Sequence, residues 1–290
     1  MEPVGTSSWI LLTMGDRPDA LARAIESIPD TATASTEVIV VANGAEGVEV
    51  ADHVRLVELD MNVGIAAGRN AGAAVAAGDI LFFLDDDATV ADQTLADRTL
   101  ARFRREPDLG VVSFRIADPD TGATSRRHVP RLGRSNALAS GDTTSFLGGA
   151  CAIRADAFNA VGGLPEAYFY ALEETDLAWA LIDGGWQVRY VPSLRIVHPR
   201  TDPARHPSFL ERTARNRVLL ARRRLPVLLG VWYVADWLAI SIVRVRARPD
   251  AVRALVRGTG LGIGDRGVAR RPISWRTVWR LTRLGRPPTV

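Results

Sequence analysis

The stretch ILFFLDDD, residues 80–87, joins five apolar residues directly to three carboxylates. The apolar run has the length and β-propensity of a strand that is buried on both faces. We therefore expect the acids at the carboxyl end of that strand, where open α/β sheets bind their ligands. Alternating side-chain directions would put Asp85 and Asp87 on the same side. Two carboxylates so close together repel unless a cation such as Mg²⁺ or Mn²⁺ lies between them. A solvated acidic turn is the alternative interpretation.

Short apolar runs alternate with helix-compatible segments on both sides of this stretch, which is typical of βαβ units. We predict strands at residues 9–13, 38–41, 54–59, 80–84, 110–116, 186–191 and 194–197. We predict helices at about 19–28, 65–77, 91–105 and 156–161, and one that runs through 179–181 to a stop at Gly184. Residues 118–145 are polar and are predicted to form a mobile loop near the acids. The predicted fold class is therefore α/β.

Composition and charge limit the classes of protein to which the chain can belong. A chain of 290 residues, 47% hydrophobic and 24% charged, can bury a sizeable core. Its one cysteine, Cys151, excludes an internal disulfide and a multi-cysteine zinc site, and we interpret it as a buried residue in a reducing, cytoplasmic compartment. Every basic residue is arginine: residues 1–200 carry 17 against 28 acids, and residues 201–290 carry 19 against 5. The basic tail therefore predicts an anionic partner.

Further motifs surround the acidic stretch in a characteristic order. They are Asn62-x-Gly64, Arg69-Asn70-x-Gly72 and Gly78-Asp79 before the acids, and GGA at 148–150, IR at 153–154, GGL at 162–164 and EETDL at 173–177 after them. In this order and spacing, residues 8–200 resemble the inverting glycosyltransferases of family 2. The resemblance implies a GT-A fold, a Rossmann-like mixed sheet that binds a nucleotide-diphospho-sugar, in a catalytic domain over residues 1–205. Residues 206–290 would then form an arginine-rich helical extension.

The resemblance assigns a divalent metal, Mn²⁺ or Mg²⁺, to the acidic stretch. Asp87 would be a direct metal ligand, Asp85 would bind the metal or the ribose, and Asp86 would lie behind them. His198 ends a strand-like run at about the position where some members, galactofuranosyltransferases among them, have a further metal ligand. A histidine before Pro199 is otherwise an ordinary turn residue.

A second pair of acids is assigned to catalysis. Inversion in one displacement needs a base that takes the proton from the attacking hydroxyl. The family places this base at the second residue of a Glu-Asp pair, which falls here on Glu174, and Glu173 is the competing choice. An acidic helix start, which favours the positive amino end of a helix, is the structural alternative.

The resemblance also implies a UDP- or dTDP-linked sugar donor. The candidate contacts are Thr13, Asn43, Arg69, Asp85, Asp86, Gly148 and Gly149. Arg69 would contact the diphosphate, with a solvated helix residue as the alternative, and the two glycines would let another molecule approach the backbone. Ala42 stands where the family often has an acid that touches the nucleotide base, and Ala180 replaces a common arginine. The identity of the base therefore does not follow from the sequence.

The tail contains an apolar stretch, residues 225–243, between arginine clusters at 212–224 and 244–248. Its length approaches the ~20 residues of a membrane span, but Pro226 and Asp236 argue against one. A helix lying on the membrane and a helix packed on the catalytic domain are the alternatives. We expect the tail to bind an anionic membrane surface, which places the protein peripherally at the inner face of the cell membrane. The acceptor would then be a lipid-linked glycan of cell-wall or polysaccharide assembly.

Other classes of protein explain fewer of these motifs. A nucleic-acid binder would account for the arginine and aromatic residues of the tail, but the acidic stretch repels phosphate, so we expect no nucleic acid. A sugar nucleotidyltransferase would leave Glu174 and His198 without a role. A glycosyltransferase of a small secondary metabolite remains an alternative. So does a non-catalytic nucleotide-sugar-binding protein, for which Ala42 and Ala180 are the evidence.

Overall fold

The computed structural model describes residues 5–29, 31, 35–130, 136–199, 208–285 and 287–288, and every structural statement below refers to these. Its strands are β1 (Thr6–Thr13), β2 (Ser35–Asn43), β3 (Val54–Leu59), β4 (Ile80–Asp85), β5 (Thr89–Val90), β6 (Leu109–Ala117), β7 (Gly141–Asp142), β8 (Ala150–Arg154) and β9 (Gln187–Val197). Its helices are α1 (Pro18–Glu26), α2 (Gly64–Val75), α3 (Leu95–Arg105), α4 (Ala155–Val161), α5 (Glu173–Asp183), α6 (Phe209–Arg224), α7 (Val227–Val245), α8 (Pro249–Gly264) and α9 (Trp275–Arg283). The predicted domain boundary at 205/206 and residues 131–135 of the predicted loop lie outside the described residues.

One mixed sheet forms the centre of the described chain. Its strand order is β3-β2-β1-β4-β8-β6-β9-β5, and β7 pairs with β9. Strands β1 to β4 run parallel, β8 runs antiparallel between β4 and β6, and β6 is parallel to β9. The α/β class and the mixed sheet are therefore confirmed.

Four strands differ from the prediction or are missing from it. β8 was not predicted, because its sequence, ACAIR, is short and has a single β-branched residue. It is a strand because it is buried between the apolar strands β4 and β6. The two strands predicted at 186–191 and 194–197 form the single β9, whose ladder with β6 shifts register between Phe114 and Arg115. A bulge of this kind bends a strand without ending it. The two-residue strands β5 and β7 were also not predicted.

The core lies on both faces of the sheet, which explains why β4 is apolar without interruption. Phe82 stacks on Trp9 of β1, with ring centroids 4.4 Å apart, and Phe83 packs on the other face against Phe158 of α4, at 5.9 Å. Cys151 in β8 is completely buried, and burial raises the pKa of its thiol. The acidic end of β4 therefore projects from a rigid, fully packed strand.

The C-terminal helices pack on this body through α6 and α9, and the Thr277 hydroxyl of α9 donates to Asp183 of α5 at 2.7 Å. Residues 218–221 of α6 are buried, whereas α7 is buried only at Gly230 and Tyr233 among its described residues. By length and composition, α7 could cross a membrane, and 11% of its apolar stretch is buried within the described structure. Leu228 and Trp232 are 85% and 62% exposed. The helix therefore packs along one side and leaves an apolar face exposed.

Candidate active site

Side chains from five elements meet at the edge of the sheet where β1 and β4 end. Because β1 and β4 are parallel neighbours, the residues after Thr13 and Asp85 lie side by side. β9 pairs with β5 and β6 at its last residues, so His198 emerges next to the same edge. Helices α2 and α5 contribute Arg69 and Glu174. The long-range packing of the sheet thus collects most of the residues that we predicted from separate motifs.

His198 lies between the two carboxylates predicted to bind metal. Its Nε2 is 3.0 Å from Asp87 Oδ1 and 3.5 Å from Asp85 Oδ2, so the two acids face one side, as strand alternation predicts. Burial would lower the pKa of His198, but the two carboxylates raise it to about 10. Burial would raise the pKa of Asp85, but His198 and Arg69 bring it to about 2. His198 thus forms ion pairs with Asp85 and Asp87. Among the described residues, no group of three or more His, Cys, Asp or Glu side chains has the spacing of a metal centre.

Asp86 points away from this cluster. It is 3% exposed and accepts hydrogen bonds from Thr13 Oγ1 at 2.8 Å and from Arg17 Nη2 at 2.7 Å. Burial raises its pKa to about 6. Arg17 also pairs with Asp87, so it bridges two of the three acids. We did not select Arg17 from the sequence, because only the parallel pairing of β1 with β4 brings its loop beside the acids.

Arg69 is buried between the acidic stretch and the predicted base. Its Nη2 is 2.9 Å from Asp85 Oδ1, its Nη1 is 3.9 Å from Glu174 Oε1, and its side chain is 7% exposed. Burial would lower the pKa of this guanidinium, but Asp85 and Glu174 raise it. The solvated helix residue that we considered as an alternative is therefore wrong, because the ion pairs hold Arg69 inside the site.

Gly148 and Gly149 form a wall of the site immediately before β8. A Cβ at Gly149 would collide with the carboxylate of Asp85, and one at Gly148 would collide with Arg69 and Glu174. We had expected the missing side chains to make room for another molecule, but the site's own side chains fill that room. The two glycines are therefore needed so that Asp85, Arg69 and Glu174 can lie against the backbone.

Glu173 and Glu174 differ in their access to solvent. Glu173 is 2% exposed, and its Oε2 has no hydrogen-bond partner among the described residues. The Glu174 side chain is 23% exposed and faces Arg69. Burial and the charge of Glu174 raise the pKa of Glu173 to about 8, and burial also raises the pKa of Glu174, although Arg69 opposes this. Glu174 is therefore the more accessible carboxylate of the pair.

The loop that leads into α5 is strained. Phe169, Ala171 and Leu172 have φ angles of 61°, 73° and 73°, a region that costs a non-glycine residue about 1–3 kcal/mol. Gly64, at φ 86°, leaves space for the backbone of Phe169, and the amide of Ile65 donates to the Phe169 carbonyl at 2.7 Å. The start of α2 is thereby tied to the loop that carries the acidic pair.

Asn43 and His128 have partners that the sequence did not predict. Asn43 Oδ1 accepts from the Val63 amide at 2.9 Å, and its Nδ2 is 3.1 Å from Asn62 Oδ1, so the side chain ties the end of β2 to the loop before α2. The ring centroid of His128 is 6.4 Å from that of His198. Burial lowers the pKa of His128 to about 4. Only the folded path of the chain after β6 brings the two rings together.

Known proteins share the sequence pattern. The family model described as glycosyl transferase family 2 matches residues 8–162, just over half of the chain. The N-acetylglucosaminyl-diphospho-decaprenol L-rhamnosyltransferase of Mycobacterium tuberculosis is 40% identical over 67 residues, which are 21% of this chain and 22% of that protein. The pre-mycofactocin glycosyltransferase of the same organism is 31% identical over 143 residues, 47% of this chain and 30% of that protein. The match thus spans less than a third of either curated relative.

Solved structures share the fold at low sequence identity. GalNAc-T7 with UDP, GalNAc and Mn²⁺ superposes with a TM-score of 0.60 at 14% identity, over 92% of this chain and 57% of that one. S. aureus TarS 1-349 gives 0.58 at 14% identity, over 88% and 83%. The mannosyltransferase PcManGT of Pyrobaculum calidifontis, with GDP-Man and Mn²⁺, gives 0.57 at 18% identity, over 96% and 84%. The predicted GT-A fold is therefore confirmed, and the chain belongs to glycosyltransferase family 2.

Proposed function

We propose that the protein is a metal-dependent, inverting glycosyltransferase that moves a sugar from a UDP- or dTDP-linked donor to a hydroxyl group of its acceptor. One observation carries the proposal: continuous contacts link the predicted base to the predicted metal ligands. They run from Glu174 to Arg69 at 3.9 Å, from Arg69 to Asp85 at 2.9 Å, and through His198 to Asp87 at 3.0 Å. A single displacement requires the base and the stabiliser of the leaving group to lie within the length of one substrate.

Asp85, Asp87 and His198 fit a divalent metal by the chemistry of their donor atoms. Carboxylate oxygens suit Mg²⁺ and Mn²⁺, and an added imidazole nitrogen favours the transition metal. His198 Nδ1 lies 2.6 Å from the Pro199 carbonyl, which orients Nε2 towards the two acids. A bound metal ion would act as a Lewis acid towards the departing diphosphate. The Mn²⁺ in the GalNAc-T7 and PcManGT structures supports this class of ion.

Glu174 is our proposed base. It is more exposed than Glu173, and its raised pKa suits a group that must accept a proton from the acceptor hydroxyl. Arg69 holds the Glu174 carboxylate towards the acidic stretch, and Arg69 and Arg17 supply the fixed positive charge that a diphosphate requires. Glu173 is buried, and its Oε2 has no partner in the part of the chain that the structure describes, so it is better suited to a structural role.

A thermal-shift panel tests the donor site, because a ligand that binds only the folded state raises its apparent stability. UDP, dTDP and GDP are each added with Mn²⁺ or with EDTA, and one nucleotide should raise the Tm only when metal is present. Glu174→Gln should keep this shift and lose sugar transfer. Loss of transfer in Glu173→Gln but not in Glu174→Gln would move the base to Glu173. If no nucleotide shifts the Tm, the donor site is wrong.

We infer that the acceptor is a lipid-linked glycan. The rhamnosyltransferase relative is named for a decaprenol-linked sugar, and the donors to test are dTDP-rhamnose, UDP-galactofuranose, UDP-galactose and UDP-N-acetylglucosamine. A small secondary metabolite is the second candidate, because the pre-mycofactocin glycosyltransferase matches more of the chain. A labelled sugar that enters the lipid-extractable fraction of a membrane preparation supports the first acceptor class, and a water-soluble product supports the second.

The exposed face of the tail supports docking on an anionic membrane at the inner face of the cell membrane. α7 exposes Leu228, Val231 and Trp232, and apolar helix faces with interfacial tryptophan bind at the acyl boundary. On α9, Arg276 and Arg280 line a groove of about 900 Å³ beside Trp279. Arginines next to exposed apolar side chains match the charge and the polarity of an anionic lipid surface.

Vesicle flotation at low and high salt tests the membrane contact. The protein should float with phosphatidylglycerol-containing vesicles at low salt and less at high salt, since exposed charges are screened. Leu228→Ala should weaken binding, whereas Leu138→Ala, which removes an equally apolar side chain that is 66% exposed on the loop before β7, should not. Absence of flotation at low salt would contradict the membrane proposal and leave the transferase proposal intact.

A further inference from the structure

Three backbone carbonyls of the loop before α5 converge on one side chain of α6. Asn216 Nδ2 lies 2.9 Å from the carbonyl of Tyr168, 2.7 Å from that of Tyr170 and 2.9 Å from that of Ala171. Asn216 is completely buried, and its Oδ1 accepts from Arg215 Nη1 at 2.9 Å. Both ends of the amide are therefore satisfied, and its donors serve the loop.

This loop contains the three positive φ angles and needs external contacts to keep them. Strained non-glycine residues persist where the surroundings over-determine the backbone. The guanidinium of Arg212, one turn before Asn216, lies 4.2 Å from the ring centroid of Phe169. Arg215 Nη1 donates to the carbonyl of Ala167 at 2.9 Å. Arg212, Arg215 and Asn216 of α6 thus all contact the segment 167–171.

The C-terminal end of α6 contacts α5 just after the acidic pair Glu173-Glu174. Asp176, which is completely buried, accepts from Arg224 Nη2 at 2.7 Å and from the Tyr168 hydroxyl at 2.8 Å. Along the chain, Glu174 lies between the loop that Asn216 contacts and Asp176, which pairs with Arg224. Its 3.9 Å approach to Arg69 therefore depends on α6, although α6 belongs to the segment predicted as an extension.

We propose that Asn216 is a positioning residue for the catalytic base, so that α6 completes the active site. Asn216 holds the backbone at 168–171 in the conformation that aims Glu174 at Arg69, and it touches no reacting atom itself. This inference rests on the proposed role of Glu174 as the base. It also makes the first tail helix part of the catalytic unit.

Two variants of the full-length protein, with one control, test this role. Asn216→Leu keeps the size of the side chain and removes its donors, and Asn216→Ser keeps one hydroxyl donor. Thr213→Val is the control, because the Thr213 hydroxyl is buried on the same helix without a partner among the described residues. Hydrogen exchange is measured by mass spectrometry with the thermal-shift panel, and turnover is measured with whichever of the four sugar nucleotides the wild type uses.

We expect faster exchange, by about tenfold or more, at the Ile65 amide and at residues 173–176 in both Asn216 variants. Exchange in β1 and β4 should stay unchanged. The kcat should fall by about 100-fold in Asn216→Leu, the cost of misplacing a catalytic group by about 1 Å. The KM for the sugar nucleotide should stay within about threefold, since the donor half is untouched. Thr213→Val should match the wild type in all three measurements.

A rescue experiment separates positioning from a general loss of stability. Ala171→Gly removes the cost of φ 73°, because glycine adopts positive φ freely, and it should restore part of the kcat in the Asn216→Ser background. If Asn216→Leu does not fold, Asn216→Ser carries the test. Wild-type exchange and kcat in a folded Asn216 variant would overturn the proposal, as would absence of rescue by Ala171→Gly. If Glu174→Gln stays active, Glu174 is not the base and the positioning role of Asn216 for a base fails with it, while the exchange result stands.

Discussion

Replacing Arg69 by methionine tests whether buried charge compensation holds the site together. The change keeps an unbranched side chain and removes the cation that lies 2.9 Å from Asp85 and 3.9 Å from Glu174. Removing one partner of a buried ion pair costs about 3–5 kcal/mol, and an exposed pair is worth about 0.2–1 kcal/mol. The Asp85 side chain is 38% exposed, so water can take over part of the lost interaction. We therefore expect a loss of about 2–3 kcal/mol in the free energy of unfolding.

Thermal unfolding followed by circular dichroism measures this loss. For a chain of this size, about 2–3 kcal/mol corresponds to a decrease of roughly 5–10 °C in Tm. Arg98→Met is the matched control, because Arg98 forms an exposed pair with Asp92 at 2.8 Å and its side chain is 45% exposed. Mn²⁺ should recover part of the loss in Arg69→Met, since a cation beside Asp85 replaces the missing charge. A Tm within about 1 °C of the Arg98→Met variant would refute the reasoning.

Two further predictions concern Glu173 and Gly149. Glu173 has a pKa raised from 4.5 to about 8, so the folded state keeps a proton that the unfolded state has released, and stability falls as pH rises from about 4.5 to 8. Glu173→Gln should therefore unfold several degrees above the wild type at pH 8 and close to it near pH 5; parallel Tm profiles from pH 5 to 8 would contradict this. Gly149→Ala places a Cβ against the Asp85 carboxylate, so it should abolish the Mn²⁺-dependent nucleotide shift and cost about 1–3 kcal/mol. Gly260→Ala on α8, where a Cβ meets no described residue within 4 Å, should leave the shift intact, and a normal shift in Gly149→Ala would contradict the prediction.

Local sequence was sufficient for the acid-bearing strand because its signal is contiguous. β4 ends at Asp85 after five buried apolar residues, and the predicted helices and strands around it are present with shifted ends. β8 was missed because short segments of small residues become strands only through their neighbours. For Arg69 the sequence left open a diphosphate contact or a solvated helix residue. Its ion pairs with Asp85 and Glu174 were not predicted, since helix periodicity alone does not reveal which charged residue meets a carboxylate from another element.

Contacts between residues that are distant in the chain were the hardest to predict from the sequence. Arg17 and Asp86 are 69 positions apart, and they meet only because β1 and β4 are adjacent and parallel. Asn216 lies 45–48 positions from the carbonyls that it contacts. No motif marks it, because its contacts are to backbone atoms, which have the same chemistry in every residue.

Local sequence establishes which chemical groups are available and which of them lie close together within one strand or turn. Contiguity and strand alternation are enough to place Asp85 and Asp87 on one side and Asp86 on the other. The tertiary structure decided which charges neutralise each other, why Gly148 and Gly149 must lack a Cβ, and that a tail helix holds the loop before Glu174. The difference arises because secondary structure follows from neighbours along the chain, whereas burial and ion pairing depend on how distant segments pack.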